Sequence, residues 1–204
     1  MDEIGLFPLG IVLLPTERLP LHVFEPRYKE LIAECIEDER DFGLVFADDE
    51  GLRDVGTRAR VVEVLETFDD GRMNVVVEGG DRFRLVELTA GRSFQTGEIE
   101  PVADVETGAD PVEIERSLVL LRRVGELAGA DVDEVAVTTE IPSFELAARV
   151  ELEPGLKQSL LESRSEPERL RRFAALLSEL ARGLEAQAER RRVAAGNGHL
   201  RRSR

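Results

Sequence analysis

The sequence predicts an α+β fold: an antiparallel β barrel or sandwich carrying one helix, followed by a helical bundle. Three observations carry that expectation. Apolar residues in the first half fall in short Val- and Leu-rich runs cut by Gly and Asp, the pattern of strands and turns. In the second half they recur every three or four positions, the pattern of helices with one buried face. The chain is also long and apolar enough to bury a core, with 204 residues of which 42% are hydrophobic and 34% charged.

Taken in order, the first apolar run covers residues 4–14. Pro26 suits the first turn of a helix, where its missing N–H costs nothing. Tyr28, Leu31, Ile32, Cys35 and Ile36 then recur at helical spacing, with Lys29, Glu30, Glu34 and Glu37 facing away. Residues 42–47 and 60–68 read as strands. Asp69-Asp70-Gly71 is a turn signal that joins the second of these to a strand at 73–77, which makes the pair a hairpin. Gly79-Gly80 reads as a further break. Residues 83–89 and 94–102 supply the last strands, giving about six in all.

Past the acidic stretch at 106–110, Ile114, Leu118, Leu121 and Val124 mark a helix. Phe144, Leu146, Ala147 and Val150 mark a short one opened by Pro142, and Leu156, Leu160 and Leu161 another after Pro154-Gly155. Ser165 and Glu168 have capping-box spacing. Leu170, Phe173, Leu177, Leu180 and Leu184 keep one face apolar behind them. The expected organisation is a β-rich part at 1–105, a helical part at 111–189 and a disordered basic tail at 190–204, where no apolar period survives.

Charge and composition exclude several functions. Residues 1–105 hold 11 basic and 24 acidic side chains, 106–189 hold 10 and 18, and 190–204 hold 6 and none, for a net −15. Such a surface opposes nucleic acid and anionic membranes. Arg58, Arg60, Arg72, Arg82, Arg84 and Arg92 could form one basic face, but their alternation with apolar residues favours an exposed sheet side paired with Glu63, Glu78 and Glu87. One Cys and two His cannot build a Cys/His zinc site, so no metal and no cofactor are expected. The first apolar run follows Asp2-Glu3 rather than a basic segment and is interrupted by Pro8. It is too short for a membrane span, which leaves a cytoplasmic protein as the expectation.

No catalytic set emerges. Neither lysine completes the G-x-x-x-x-G-K-[ST] loop that cradles phosphates. His22, between Leu21 and Val23, reads as a core or interface histidine, and His199 falls in the tail. Lys157 with Ser159 or Ser163 has the wrong helical spacing for a nucleophile–base dyad. Asp48-Asp49-Glu50 and Asp69-Asp70 lack calcium-loop spacing and read as solvated turns. Cys35 lies on the apolar stripe and reads as an inert thiol. A hydrolase built on a cleft carboxylate would need a strongly raised pKa, which a sequence does not display.

Leu6-Phe7-Pro8-Leu9-Gly10 and Leu19-Pro20-Leu21-His22-Val23-Phe24-Glu25-Pro26-Arg27-Tyr28 resemble the start of the Lon-protease N-terminal (substrate-binding) domain. Further matches follow in order: Phe42-Gly43, Val55-Gly56-Thr57, Gly80-Asp81-Arg82-Phe83, Leu146-Ala147, Gln158 with Leu160-Leu161-Glu162, and Arg169-Leu170. The resemblance spans about residues 4–185. It implies a pseudo-barrel related to PUA-like domains, then a helical bundle. In Lon an ATPase and a Ser/Lys peptidase follow this region. The resemblance stops before either, which implies a stand-alone, non-enzymatic module.

The implied partners are unfolded or partly folded client proteins and peptides, with a separate ATP-dependent protease as a second candidate. A PUA-like binder of nucleic acid or nucleotide is the alternative. For the peptide site the expected residues are Phe24, Glu25, Arg27, Tyr28, Arg82, Phe83 and Phe144, lining a groove where the sheet half meets the helical half. Glu25 and Arg27 also suit holding the halves in register, and Tyr28 suits core packing as well as binding.

Overall fold

The computed structural model describes residues 2–106, 108–130 and 137–199, with side chains up to Arg192. Its elements are β1 (Asp2–Leu9), β2 (Arg18–Val23), α1 (Pro26–Glu37), β3 (Phe42–Asp48), β4 (Gly51–Leu52), β5 (Val55–Thr67), β6 (Met73–Thr89) and β7 (Thr96–Pro101), then α2 (Pro111–Ala128), α3 (Pro142–Ala147), α4 (Pro154–Glu162) and α5 (Glu166–His199). They form two compact units. The first comprises 1–106 and 144–165, and the second 107–143 and 166–204.

In the first unit the strands run β1-β7-β6-β5-β3-β4, and β1 also pairs with β3, so the sheet closes into a barrel. Every other pairing between these strands is antiparallel, whereas β1 and β3 are parallel in the register Leu6↔Gly43 to Leu9↔Phe46. Parallel neighbours need a long crossover. The segment containing β2 and α1 supplies it.

Both faces of β1 and β3 are covered. Ile4, Leu6, Val45, Phe83 and Ile99 form one cluster. Phe7, Phe42, Leu44, Val75 and Val77 form another with Leu31, Ile32 and Cys35 of α1. This two-sided burial is why residues 42–46 read as an unbroken apolar run rather than an alternation.

Gly79-Gly80 does not end a strand. β6 runs through both, pairing its first half with β2 and its second with β7. Between Thr57↔Arg82 and Ala59↔Gly79 the register shifts, because β6 spends one more residue than β5. This bulge bends β6 from one neighbour to the next. Gly79 is required there, since a Cβ would lie 2.1 Å from the Leu14 carbonyl oxygen. Its N–H donates to the Glu17 carbonyl and its own carbonyl accepts from Thr16 N–H, at 2.9 and 2.8 Å.

The second unit pairs α2 with α5. Asp110 caps α2 by accepting from Val112 N–H at 2.9 Å, and Gly129 ends it at φ 72°. Leu118, Leu121 and Val124 of α2, and Leu170, Phe173, Ala174, Leu177 and Ala181 of α5, form its buried apolar set. Arg123 and Glu185 join the two helices at 2.9 Å.

Two expectations differ from this arrangement. Residues 144–165, assigned to the helical part by their period, group with the barrel. Helix α5 continues to His199, through nine of the residues expected to be disordered past Arg190. The end of that tail, 200–204, lies outside the described residues, as do 131–136 of the expected helical part.

Candidate functional site

Pro26 opens α1, and its ring holds Glu25 in an extended conformation (φ −70°, ψ 135°). The chain therefore leaves β2 pointing outward, and Phe24 is 59% exposed. Its ring lies 5.9 Å from that of His22 at an interplanar angle of 23°. Phe68, at the β5–β6 turn, meets His22 edge-on at 6.2 Å, and the Arg72 guanidinium sits 4.9 Å from the Phe68 ring.

His22 is exposed, not buried as its apolar neighbours suggested. On a strand, successive side chains alternate faces, so Leu21 and Val23 turn inward and His22 outward. Its Nδ1 lies 2.6 Å from Asn74 Oδ1, and the Asn74 amide donates to Glu66 at 3.1 Å. The three residues cross β2, β6 and β5 in one row. Val62, Val64 and Leu65 of β5 are also exposed, so this three-stranded arm carries apolar side chains in water.

The expected site residues divide into two sets. Phe24, Glu25 and Arg27 belong to the corner between β2 and α1, where Arg27 pairs with Glu25 at 2.9 Å. Tyr28, next in sequence, is buried and stacks on Phe7 at 4.0 Å. Burial pushes its phenol up, against the nearby Arg27 charge.

Arg82, Phe83 and Phe144 are buried elsewhere in the first unit. Arg82 donates from one guanidinium nitrogen to the carbonyls of Leu161 and Ser163, both at 2.7 Å, and from another to Asp104. Its guanidinium lies 5.2 Å from the Phe144 ring. The last carbonyls of a helix have no partner within it, and Arg82 satisfies those at the end of α4. Phe83 packs in the cluster of Ile4 and Leu6, whereas Tyr28 packs in that of Phe7 and Phe42.

The strand arginines do not pool into a basic face. Arg58 pairs with Asp2, Arg60 with Asp41, Arg72 with Asp70 and Arg92 with Glu34, partners other than the expected Glu63 and Glu87. Glu78 pairs instead with Arg18 at 2.6 Å.

One pairing had no signal in the sequence. Lys157 of α4 reaches Glu17, whose other carboxylate oxygen accepts from Leu14 N–H at 2.9 Å. Nearby, Gln158 donates to the Val55 carbonyl at 3.0 Å, so consecutive residues tie α4 to the barrel. The lysine is engaged by a carboxylate, and the Ser159 hydroxyl donates to the Leu156 carbonyl at 2.8 Å. Among the described residues no group of three or more His, Cys, Asp or Glu could hold a metal ion, and no helix is long and apolar enough to cross a membrane.

Cys35 is buried on α1. Burial, followed by the Glu34 carboxylate, pushes its thiol up to about 11. At pH 8 the reactive thiolate is therefore scarce in the folded protein. We expect Ellman's reagent at pH 8 to label Cys35 slowly in the native protein and completely in urea. Fast stoichiometric labelling of native protein would refute the inert assignment.

The chain matches the family described as "ATP-dependent protease La (LON) substrate-binding domain" over residues 3–179. Among curated relatives, a Lon protease of Paraburkholderia phytofirmans is 27% identical over 74% of this chain, which covers 21% of the relative. A Lon protease of Anaeromyxobacter dehalogenans is 33% identical over 55% of this chain and 14% of its own length. The chain thus spans about a fifth or less of these proteins. The crystal structure of a Lon N-terminal domain protein from Xanthomonas campestris aligns with TM-score 0.65 and 27% identity, covering 86% of this chain and 98% of that one. The N-terminal domain of a Mycobacterium avium complex Lon protease has the same fold, with TM-score 0.67 at 16% identity.

Proposed function

This chain belongs to the Lon substrate-binding domain family, and from that premise we propose that it is a non-enzymatic module binding exposed apolar segments of client proteins. The observation that carries the reading is the arm of β2, β5 and β6, where Val62, Val64 and Leu65 of β5 and Phe24, just past β2, are exposed. Large apolar side chains left in water are available to the apolar groups of a partner. Unfolded and partly folded proteins are the partners such a surface suits, because they expose the apolar groups that folded proteins bury. The reading includes a cytoplasmic setting and, as a second partner, a separate ATP-dependent protease. It includes no turnover, and the 204 residues hold no G-x-x-x-x-G-K-[ST] loop.

The test compares capture of ribonuclease A in two forms, native and reduced with blocked thiols. Wild-type protein should bind the unfolded form and ignore the native one. The double variant Phe24→Asp/Leu65→Asp, altering two exposed positions, should stay folded and bind at least about tenfold more weakly, as loss of central apolar contacts costs an interface. Equal binding by the folded variant would remove the arm from the site.

A further inference from the structure

Strand β2 pairs with β6 along one edge and, among the described residues, with no strand along the other. The hydrogen bond from Gly79 N–H to the Glu17 carbonyl sets the phase of that edge. Backbone groups of an antiparallel strand alternate between its two sides. With Glu17 bonded toward β6, Leu19 and Leu21 also face β6, and the backbone groups of Arg18, Pro20 and His22 face away. The position of Pro20 agrees, because its nitrogen has no hydrogen to offer a ladder. The outward edge thus offers the carbonyls of all three residues and the amides of Arg18 and His22.

A cavity of about 450 Å³ opens at the start of this strand. Ile11, Val12, Leu19, Ala148, Val150 and Leu152 form its apolar lining. Every one belongs to the first unit. The Glu17–Lys157 pair lines the same cavity and is almost fully buried, which joins the α3–α4 segment to the turn before β2. An unpaired edge next to an apolar pocket is the geometry by which a sheet captures an extended peptide: backbone hydrogen bonds hold it and a side chain fills the pocket.

Charge identifies the peptide. The first unit contains 14 basic and 29 acidic side chains, whereas the second contains 13 of each. The whole excess of −15 therefore lies on the unit that carries the edge and the pocket. A surface of one sign attracts segments of the other and repels its own.

We propose that β2 takes up an extended, basic segment of a partner protein by strand addition, with an apolar side chain of that segment seated in the pocket of Leu19, Ala148 and Val150. This rests on the client-binding reading and names the segments it selects: apolar residues alternating with Lys or Arg.

The experiment uses fluorescence anisotropy with three labelled decapeptides. One alternates Leu with Lys, the second alternates Leu with Glu, and the third is the Lys peptide N-methylated at alternate residues. The Lys peptide should bind the wild-type protein, weakening as salt rises from 50 to 500 mM. The Glu peptide should bind at least tenfold more weakly, and so should the N-methylated peptide, which lacks the ladder amides. Ala148→Phe, which fills the pocket from a half-buried position, should cost a similar factor while melting like wild type. Equal affinity for the Lys and Glu peptides overturns the charge selection. Equal affinity for the N-methylated peptide overturns strand addition, with no variant involved. If unfolded ribonuclease A binds and the Lys peptide does not, this site is refuted and the client reading stands. If the peptide binds as expected and unfolded ribonuclease A does not, the client reading falls and the site stands.

Discussion

Arg82→Ala should destabilise the first unit by about 3–5 kcal/mol, the scale for removing one partner of a buried ion pair. The side chains of Arg82 and Asp104 are 5% and 8% exposed, so truncation strands a carboxylate away from water. It also leaves the Leu161 and Ser163 carbonyls without their donor and uncovers one face of the Phe144 ring. Lysine in its place keeps the charge but cannot spread donors over three acceptors from a planar group, so Arg82→Lys should recover only part of the loss. Urea unfolding with hydrogen exchange resolved by residue gives the measurement. Protection should fall first where α4 meets the barrel. A loss below about 1 kcal/mol, the ordinary net value of one hydrogen bond, would mean water replaces the arginine. A variant with intact stability and lost client binding would make Arg82 a ligand contact instead of a strut.

That result would also explain why the motif residues could not be sorted from sequence. Arg82 and Arg84 have the same neighbours in kind, yet Arg82 is buried and Arg84 exposed. Both lie beyond the bulge at Gly80-Asp81 with Phe83 between them, so they share one face of β6. Arg82 is buried because the end of α4, Asp104 and Phe144 cover it, a long-range fact that alternation along β6 does not carry. His22 failed for a related reason. Leu21, His22 and Val23 look like a buried run until the strand is known to lie at an edge with one wet face. Phe24 and Tyr28, four residues apart in one motif, have opposite fates because Pro26 starts a helix between them.

The legible parts were those with local causes. The stripe of α1 gave its buried face at Tyr28, Leu31, Ile32 and Cys35, although Ile36 proves exposed. Asp69-Asp70-Gly71 fixed the hairpin, with Gly71 at φ 79° where a left-handed residue is needed. What covers an apolar face is a long-range matter. Phe144, Leu146, Leu160 and Leu161 have the period of any bundle helix, and period does not reveal whether a helix or a sheet lies opposite. The barrel contacts that settle it, such as Lys157 with Glu17, join residues far apart in the chain.

Arg169→Ala should cost the second unit about 3–5 kcal/mol, again because a buried charge loses its partner. Arg169 and Glu166 are 0% and 1% exposed and bonded at 2.5 Å, one helical turn apart at the start of α5. Glu166 also accepts the Ser143 N–H and hydroxyl at 2.8 and 2.6 Å, and Arg169 donates to the same hydroxyl at 2.9 Å. The carboxylate thus holds residue 143 against α5, and the guanidinium makes its burial tolerable. The sign of a second experiment separates this account from simple loss of packing. Glu166→Leu/Arg169→Met removes both charges together and keeps apolar volume, so it should be less destabilising than Arg169→Ala alone. Were the cost due to packing, the double change would be at least as harmful as the single one. Hydrogen exchange should locate the effect of Arg169→Ala in α2 and α5, with the barrel strands still protected. Equal loss of protection in β3 and β6 would show that the two units unfold as one.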